Sequence, residues 1–153
     1  MLSGGTRVKP ELVRPLALAD IPASGRTVHV EASAAERAAL ARRLRIPEIE
    51  ALGCDFALRR ETRGVIAAAG RLAARVVQTC VITAEDFSTE VAESFSVRFV
   101  AAGGEDADGG DDAFDPEAPD EIPYDGATLD LGEATAEQLA LALDPWPRRP
   151  ELE

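Results

Sequence analysis

The chain has 153 residues, enough for one domain, and a 46% apolar content that must build its core from Ala, Val, Leu and Ile, because aromatics are only 5%. Two cysteines exclude a disulfide framework, and no apolar run reaches the roughly 18–20 residues of a membrane span. The net charge of −12 excludes a general phosphate binder working by total charge. That charge is unevenly spread: through Arg75 bases outnumber acids thirteen to eight, and beyond it acids outnumber bases twenty to three.

The first residues, Met1 to Arg7, hold no apolar stretch of the signal-peptide kind, so cytoplasm is the expected compartment. Pro10, Pro15 and Pro22 punctuate an extended stretch with a short strand around Val13 to Leu18. The β-branched alternation of Arg26 to Glu31 predicts a strand. Ser33 and Glu36 then have capping-box spacing, and the helix they open runs to Leu44 or Arg45, ahead of Pro47. Leu40 and Leu44 share a face of that helix, and Arg42 and Arg43 are expected to face solvent.

Three strands follow. Cys54, Phe56 and Leu58 share one face of the first. Gly64 supplies a positive-φ position in the turn Glu61 to Gly64. The second strand is expected from Val65 to Ile82, with Leu72, Val76, Gln78, Cys80 and Ile82 on one side and Arg71 and Arg75 on the other. The third alternates most cleanly, with Phe87, Val91, Phe95, Val97 and Phe99 opposite Ser88, Glu90, Ser94, Ser96 and Arg98. Residues 101–125 carry ten acids and no base, with glycine pairs and prolines, and predict a flexible, disordered acidic loop. Asp130 caps a last helix with Glu133 in the reciprocal position, Thr135 with Gln138 being the alternative; the helix carries Leu139, Leu141 and Leu143 and stops before Pro145. The expected fold is α+β: a single domain over 1–153, with an antiparallel β-meander packed against two amphipathic helices.

Little in the chain promises catalysis. A nucleophilic Cys80 needs a base, and the one histidine is His29, which nothing in the sequence places nearby. Zinc normally takes four Cys or His ligands, and three such residues are present. The glycine pairs lack the lysine and helix of a phosphate loop, and the acidic run lacks EF-hand spacing. No cofactor, metal or catalytic residue is therefore expected. Arg42, Arg43, Arg71 and Arg75 are the candidates for RNA contact, since guanidinium groups suit phosphate, although no aromatics are interleaved for base stacking.

Two segments resemble the YceD family (domain of unknown function 177). One is Gln78-Thr79-Cys80-Val81-Ile82-Thr83-Ala84-Glu85-Asp86-Phe87, similar to the family's Cys-centred strand turn. The other is Asp130-Leu131-Gly132-Glu133 followed by Glu137-Gln138-Leu139 and on to Pro145-Trp146-Pro147-Arg148, similar to its acidic entry and closing Leu-rich helix. The stretch Glu31 to Leu40 is also similar to one branch. The resemblance implies a non-enzymatic ribosome biogenesis factor needed for accumulation of 23S-type RNA of the large subunit. It implies a large-subunit ribosomal protein or pre-ribosomal particle as partner, and marks Gln78, Cys80, Asp130, Leu131, Gly132, Glu133, Gln138, Leu139, Pro145 and Arg148 as motif or partner-binding candidates. Many relatives have Cys-x-x-Cys at the turn; here Thr83 replaces the second Cys, so a metal role does not carry over. The acidic segment with the C-terminal helix is the expected surface for a basic partner. Direct RNA binding through the arginines, and a thiol enzyme using Cys80 and His29, are the alternatives.

Overall fold

A computed structural model describes residues 11–101, 120–124 and 126–148. Its strands are β1 (Pro15–Ala17), β2 (Arg26–Glu31), β3 (Glu48–Arg60), β4 (Ile66–Thr79), β5 (Asp86–Ala101), β6 (Asp120–Tyr124) and β7 (Thr128–Asp130); its helices are α1 (Ala34–Leu44) and α2 (Leu131–Ala142). The architecture is α+β. A five-stranded sheet has the order β2-β3-β4-β5-β6, and β1 pairs with β7 in a separate ribbon.

Local chemistry accounts for most boundaries. The Ser33 Oγ accepts from Glu36 N at 3.2 Å, and Ser33 N donates to Glu36 Oε1 at 2.8 Å, closing the predicted capping box. The helix α1 ends where Arg45 turns left-handed, at φ 61°, and donates its N–H to the carbonyls of Ala41 and Arg42. Gly64 has the positive φ expected of it. In β3 and β4 every second side chain is buried, so Leu52, Cys54, Phe56 and Leu58 meet Leu72, Ala74 and Val76 on one face with Leu40, Ala134 and Leu139 of the helices. The other face is bare among the described residues. It is paved with small side chains, Ala57, Ala69, Ala73 and Ala92, and with Arg71 and Arg75.

Three expectations are corrected. The sheet is mixed, not an antiparallel meander throughout: β2 to β5 pair antiparallel, but β6 runs parallel to β5, with Val97 opposite Asp120 and Ala101 opposite Tyr124. The strand β6 lies inside the stretch expected to be an acidic loop; the rest of that stretch, 102–119 and 125, lies outside the described residues. Lastly, β4 stops at Thr79. Cys80 N donates to Glu85 O and Ala84 N to Cys80 O, so the chain turns and leaves Ile82 63% exposed instead of inside.

Candidate functional site

The motif residues meet at a joint between the two ends of the described chain. Asp130 Oδ1 accepts from Gly132 N at 3.0 Å and Glu133 N at 3.2 Å, which caps α2. The same oxygen accepts from the backbone N of Arg14 at 2.9 Å, and Leu131 N donates to Arg14 O at 3.0 Å. One carboxylate therefore starts a helix and ties the N-terminal segment to it. Leu131 and Leu139 are buried. Gly132 is there because nothing larger fits: a Cβ would lie 2.5 Å from Leu12 O. Glu133 does not fold back as a reciprocal cap. Its carboxylate takes the guanidinium of Arg43 at 3.1 Å, and Arg43 also holds Glu11 at 3.0 Å. These two acids raise the Arg43 pKa, so its charge is fixed. Thr135, the alternative cap, is buried in the helix and donates to Leu131 O at 2.8 Å. Gln138 is half-buried in the same helix.

The second motif closes the other end of α2. Gln78 is buried and its Nε2 donates to Asp144 O at 3.1 Å, while Val81 N donates to Pro147 O at 2.9 Å. The segment after α2, including exposed Pro145 and Arg148, is thus strapped to the β4–β5 turn. Cys80, next to Val81 in this turn, is buried. Trp146, in the strapped segment, is 73% exposed, with Val81 at 52%. Cys54, in the core, has its thiol pushed up to about 11 by burial, which suits packing and opposes nucleophilic use.

The structure does not bring the polar candidates together. His29 sits in the cross-strand row His29, Asp55, Arg71, Ser94, whereas Cys80 follows the end of β4, nine residues after Arg71 and so about 30 Å along the chain from that row. His29 is instead clasped by Asp55 at 2.6 Å and Glu31 at 2.9 Å on the bare face; Glu31 and Asp55 raise its pKa. Sequence reasoning missed this cluster, although His29 and Glu31 two apart on a strand was its signal. Arg42 and Arg43 belong to the helical side of the sheet, and Arg71 and Arg75 to the bare side. Arg43 and Arg75 are engaged in ion pairs, Arg75 with Glu50 at 3.2 Å and Glu90 at 2.8 Å. Arg42 and Arg71 make no ion pair among the described residues. Arg14 was also missed. Its guanidinium grips Glu36 through two bonds of 2.7 Å and holds the carboxyl at about 2. No metal-ligand cluster occurs among the described residues, and no helix there is long and apolar enough to cross a membrane.

These features define a packed α+β framework whose recognisable residues close joints between segments. A family model described as "Large ribosomal RNA subunit accumulation protein YceD" matches residues 68–153, which runs from β4 through both motifs. The chain belongs to the YceD family, and through it to the accumulation of large-subunit ribosomal RNA. No curated protein and no solved structure matches it.

Proposed function

We propose that this protein is a cytoplasmic factor that supports 23S-type RNA accumulation and large-subunit assembly without catalysing a reaction, by binding a large-subunit ribosomal protein or a pre-ribosomal particle. The observation that carries the reading is the family match over residues 68–153. Its motif side chains are spent on capping, packing and strapping, which is how a binding scaffold uses them. The distance between His29 and Cys80 and the raised Cys54 thiol favour this reading over a thiol enzyme. The acidic second half favours a basic partner. Direct RNA binding keeps Arg42 and Arg71 as candidate cations without an ion pair among the described residues, but they stand on opposite sides of the sheet.

The test is a sucrose-gradient ribosome profile with RNA quantification in a strain lacking the gene, beside one complemented with Cys80→Ala. A shortage of large subunits and their RNA, restored by Cys80→Ala, is the expected result. An unchanged profile in the deletion strain overturns the assembly role. Failure of Cys80→Ala to complement, in a protein that still folds, restores the enzyme reading.

A further inference from the structure

The sheet has one side that stops short. The strand β5 pairs with β4 from Asp86 to Phe99, but β6 covers its other side only from Val97 to Ala101. From Asp86 to Ser96 the backbone N–H and C=O groups on that side have no strand partner among the described residues. The core records the difference. Where β6 pairs, Val97 and Phe99 are each 1% exposed; where it does not, Phe87, Val91 and Phe95 on the same face are only half-buried. Among the described residues the sheet therefore ends there in a ladder of unmet hydrogen bonds beside a strip of part-covered apolar side chains. Such an edge is a template for an added strand.

The charges select what can be added. Asp86 to Ser96 holds Asp86, Glu90 and Glu93 and no Lys or Arg. Glu90 shares Arg75, but Glu93 stands exposed between Val91 and Phe95 with no ion pair among the described residues. A second copy pairing through the same edge would set acid against acid, which cross-strand neighbours do not tolerate. A basic strand would meet complementary charge.

We infer that the Asp86–Ser96 edge of β5 binds an extended segment of a basic protein, in which apolar residues alternate with Lys or Arg, as an additional strand. The apolar side chains extend the face of Val91 and Phe95, and the cations lie on the opposite face, beside Glu90. This names a surface for the protein partner of the preceding section and rests on that reading for its biological meaning.

The experiment is amide hydrogen exchange on the full chain, alone and with two synthetic peptides of about ten residues, one alternating Val with Lys and one alternating Val with Glu. With the Lys peptide, exchange across residues 86–96 should slow by about tenfold or more and weaken as salt rises; with the Glu peptide it should not change. A chain carrying Glu90→Lys and Glu93→Lys should lose the response to the Lys peptide and gain one to the Glu peptide. If that chain fails to fold, Glu90→Gln should still halve the response or more. Equal response to both peptides, protection elsewhere, or full protection of 86–96 in the chain alone overturns the inference. In the last case, dependence on protein concentration separates pairing between copies from coverage by residues 102–119. The assembly reading is judged separately. If the deletion strain lacks large subunits but the double-lysine variant restores them, the edge is refuted and the function stands; if the deletion profile is normal, the function fails whatever the peptides do.

Discussion

Replacing Gly132 by alanine should destabilise the protein, against the usual sign for a helix. In an open helix the change would gain about 1 kcal/mol, because glycine costs more backbone entropy. Here the new Cβ would lie 2.5 Å from Leu12 O, 2.8 Å from Leu12 C and 2.9 Å from Arg14 N. All three are backbone atoms, so no rotamer change relieves the contact. The segment that must move is anchored by buried Leu12 and by two bonds at Arg14, whose N–H donates to Asp130 Oδ1 and whose carbonyl accepts from Leu131 N. Overpacking costs about 1–3 kcal/mol, and weakening two hydrogen bonds adds about 1 kcal/mol or more. Net of the propensity gain, the loss is about 2 kcal/mol, which at this chain length lowers the melting temperature by about 4–8 °C. Gly53→Ala is the control. Its Cβ meets nothing closer than Val30 O at 3.4 Å, so it should be neutral or stabilising by about 0.5–1 kcal/mol. Urea unfolding followed by far-ultraviolet circular dichroism gives both values from midpoints at constant slope. A Gly132→Ala protein as stable as the parent would refute the packing account of this motif glycine.

The other outcomes concern charge and packing. The Glu36 carboxyl is held at about 2, below its usual 4.5, by Arg14 and then by the Ser33 backbone; its contribution is full above about pH 4.5 and is lost as pH falls toward 2. Glu36→Gln should therefore cost about 1–2 kcal/mol near neutral pH and flatten the acid limb of a stability–pH curve taken from urea midpoints. The His29 imidazole should titrate above 6.5 by proton chemical shift, and Glu31→Gln or Asp55→Asn should each move it down. Because its folded pKa is raised, whatever it adds to stability is present below about 6.5 and fades as pH rises through the folded value. Gly70→Ala should cost about 1 kcal/mol or more, since its Cβ would fall 2.2 Å from Phe95 Cζ and push that ring off its edge-on contact with Phe56. In a Phe95→Ala background the same change should be neutral or better, a coupling that a double-mutant cycle in urea measures.

What was legible in the sequence was what near neighbours decide. Ser33 and Glu36 close a cap across one turn, Asp130 caps its own helix, and the alternation of β3, β4 and β5 sets their faces without help from elsewhere. What was not legible depends on distant partners. The strand β6 is hidden by Asp120, Glu121 and Pro123, all poor strand formers, and forms because β5 offers it a ladder and because buried Tyr124 donates its hydroxyl to Gly64 O. The early end of β4 comes from Ala84 adopting φ 64°, a state alanine disfavours and local pattern does not announce. Arg43 looked like a solvent-facing cation of α1, and only the docking of α2 gives it Glu133.

The same division bears on where function should be sought. Asp130, Leu131, Gly132, Gln78 and Leu139 are recognisable because backbone geometry and burial admit few alternatives at those positions. A motif of that kind marks a framework, and its mutation unfolds or loosens the protein before it reports on binding. Contact residues are under the opposite constraint: they must remain incompletely satisfied in the free protein so that a partner completes them. By that criterion the half-buried Val91 and Phe95, the exposed acids Glu90 and Glu93, and the edge of β5 that has no strand partner among the described residues are better candidates than any motif residue. Because Val91 and Phe95 also pack against the core, the clean test is at the exposed acids: substitution of Glu90 or Glu93 should change association while leaving the unfolding midpoint nearly where it was.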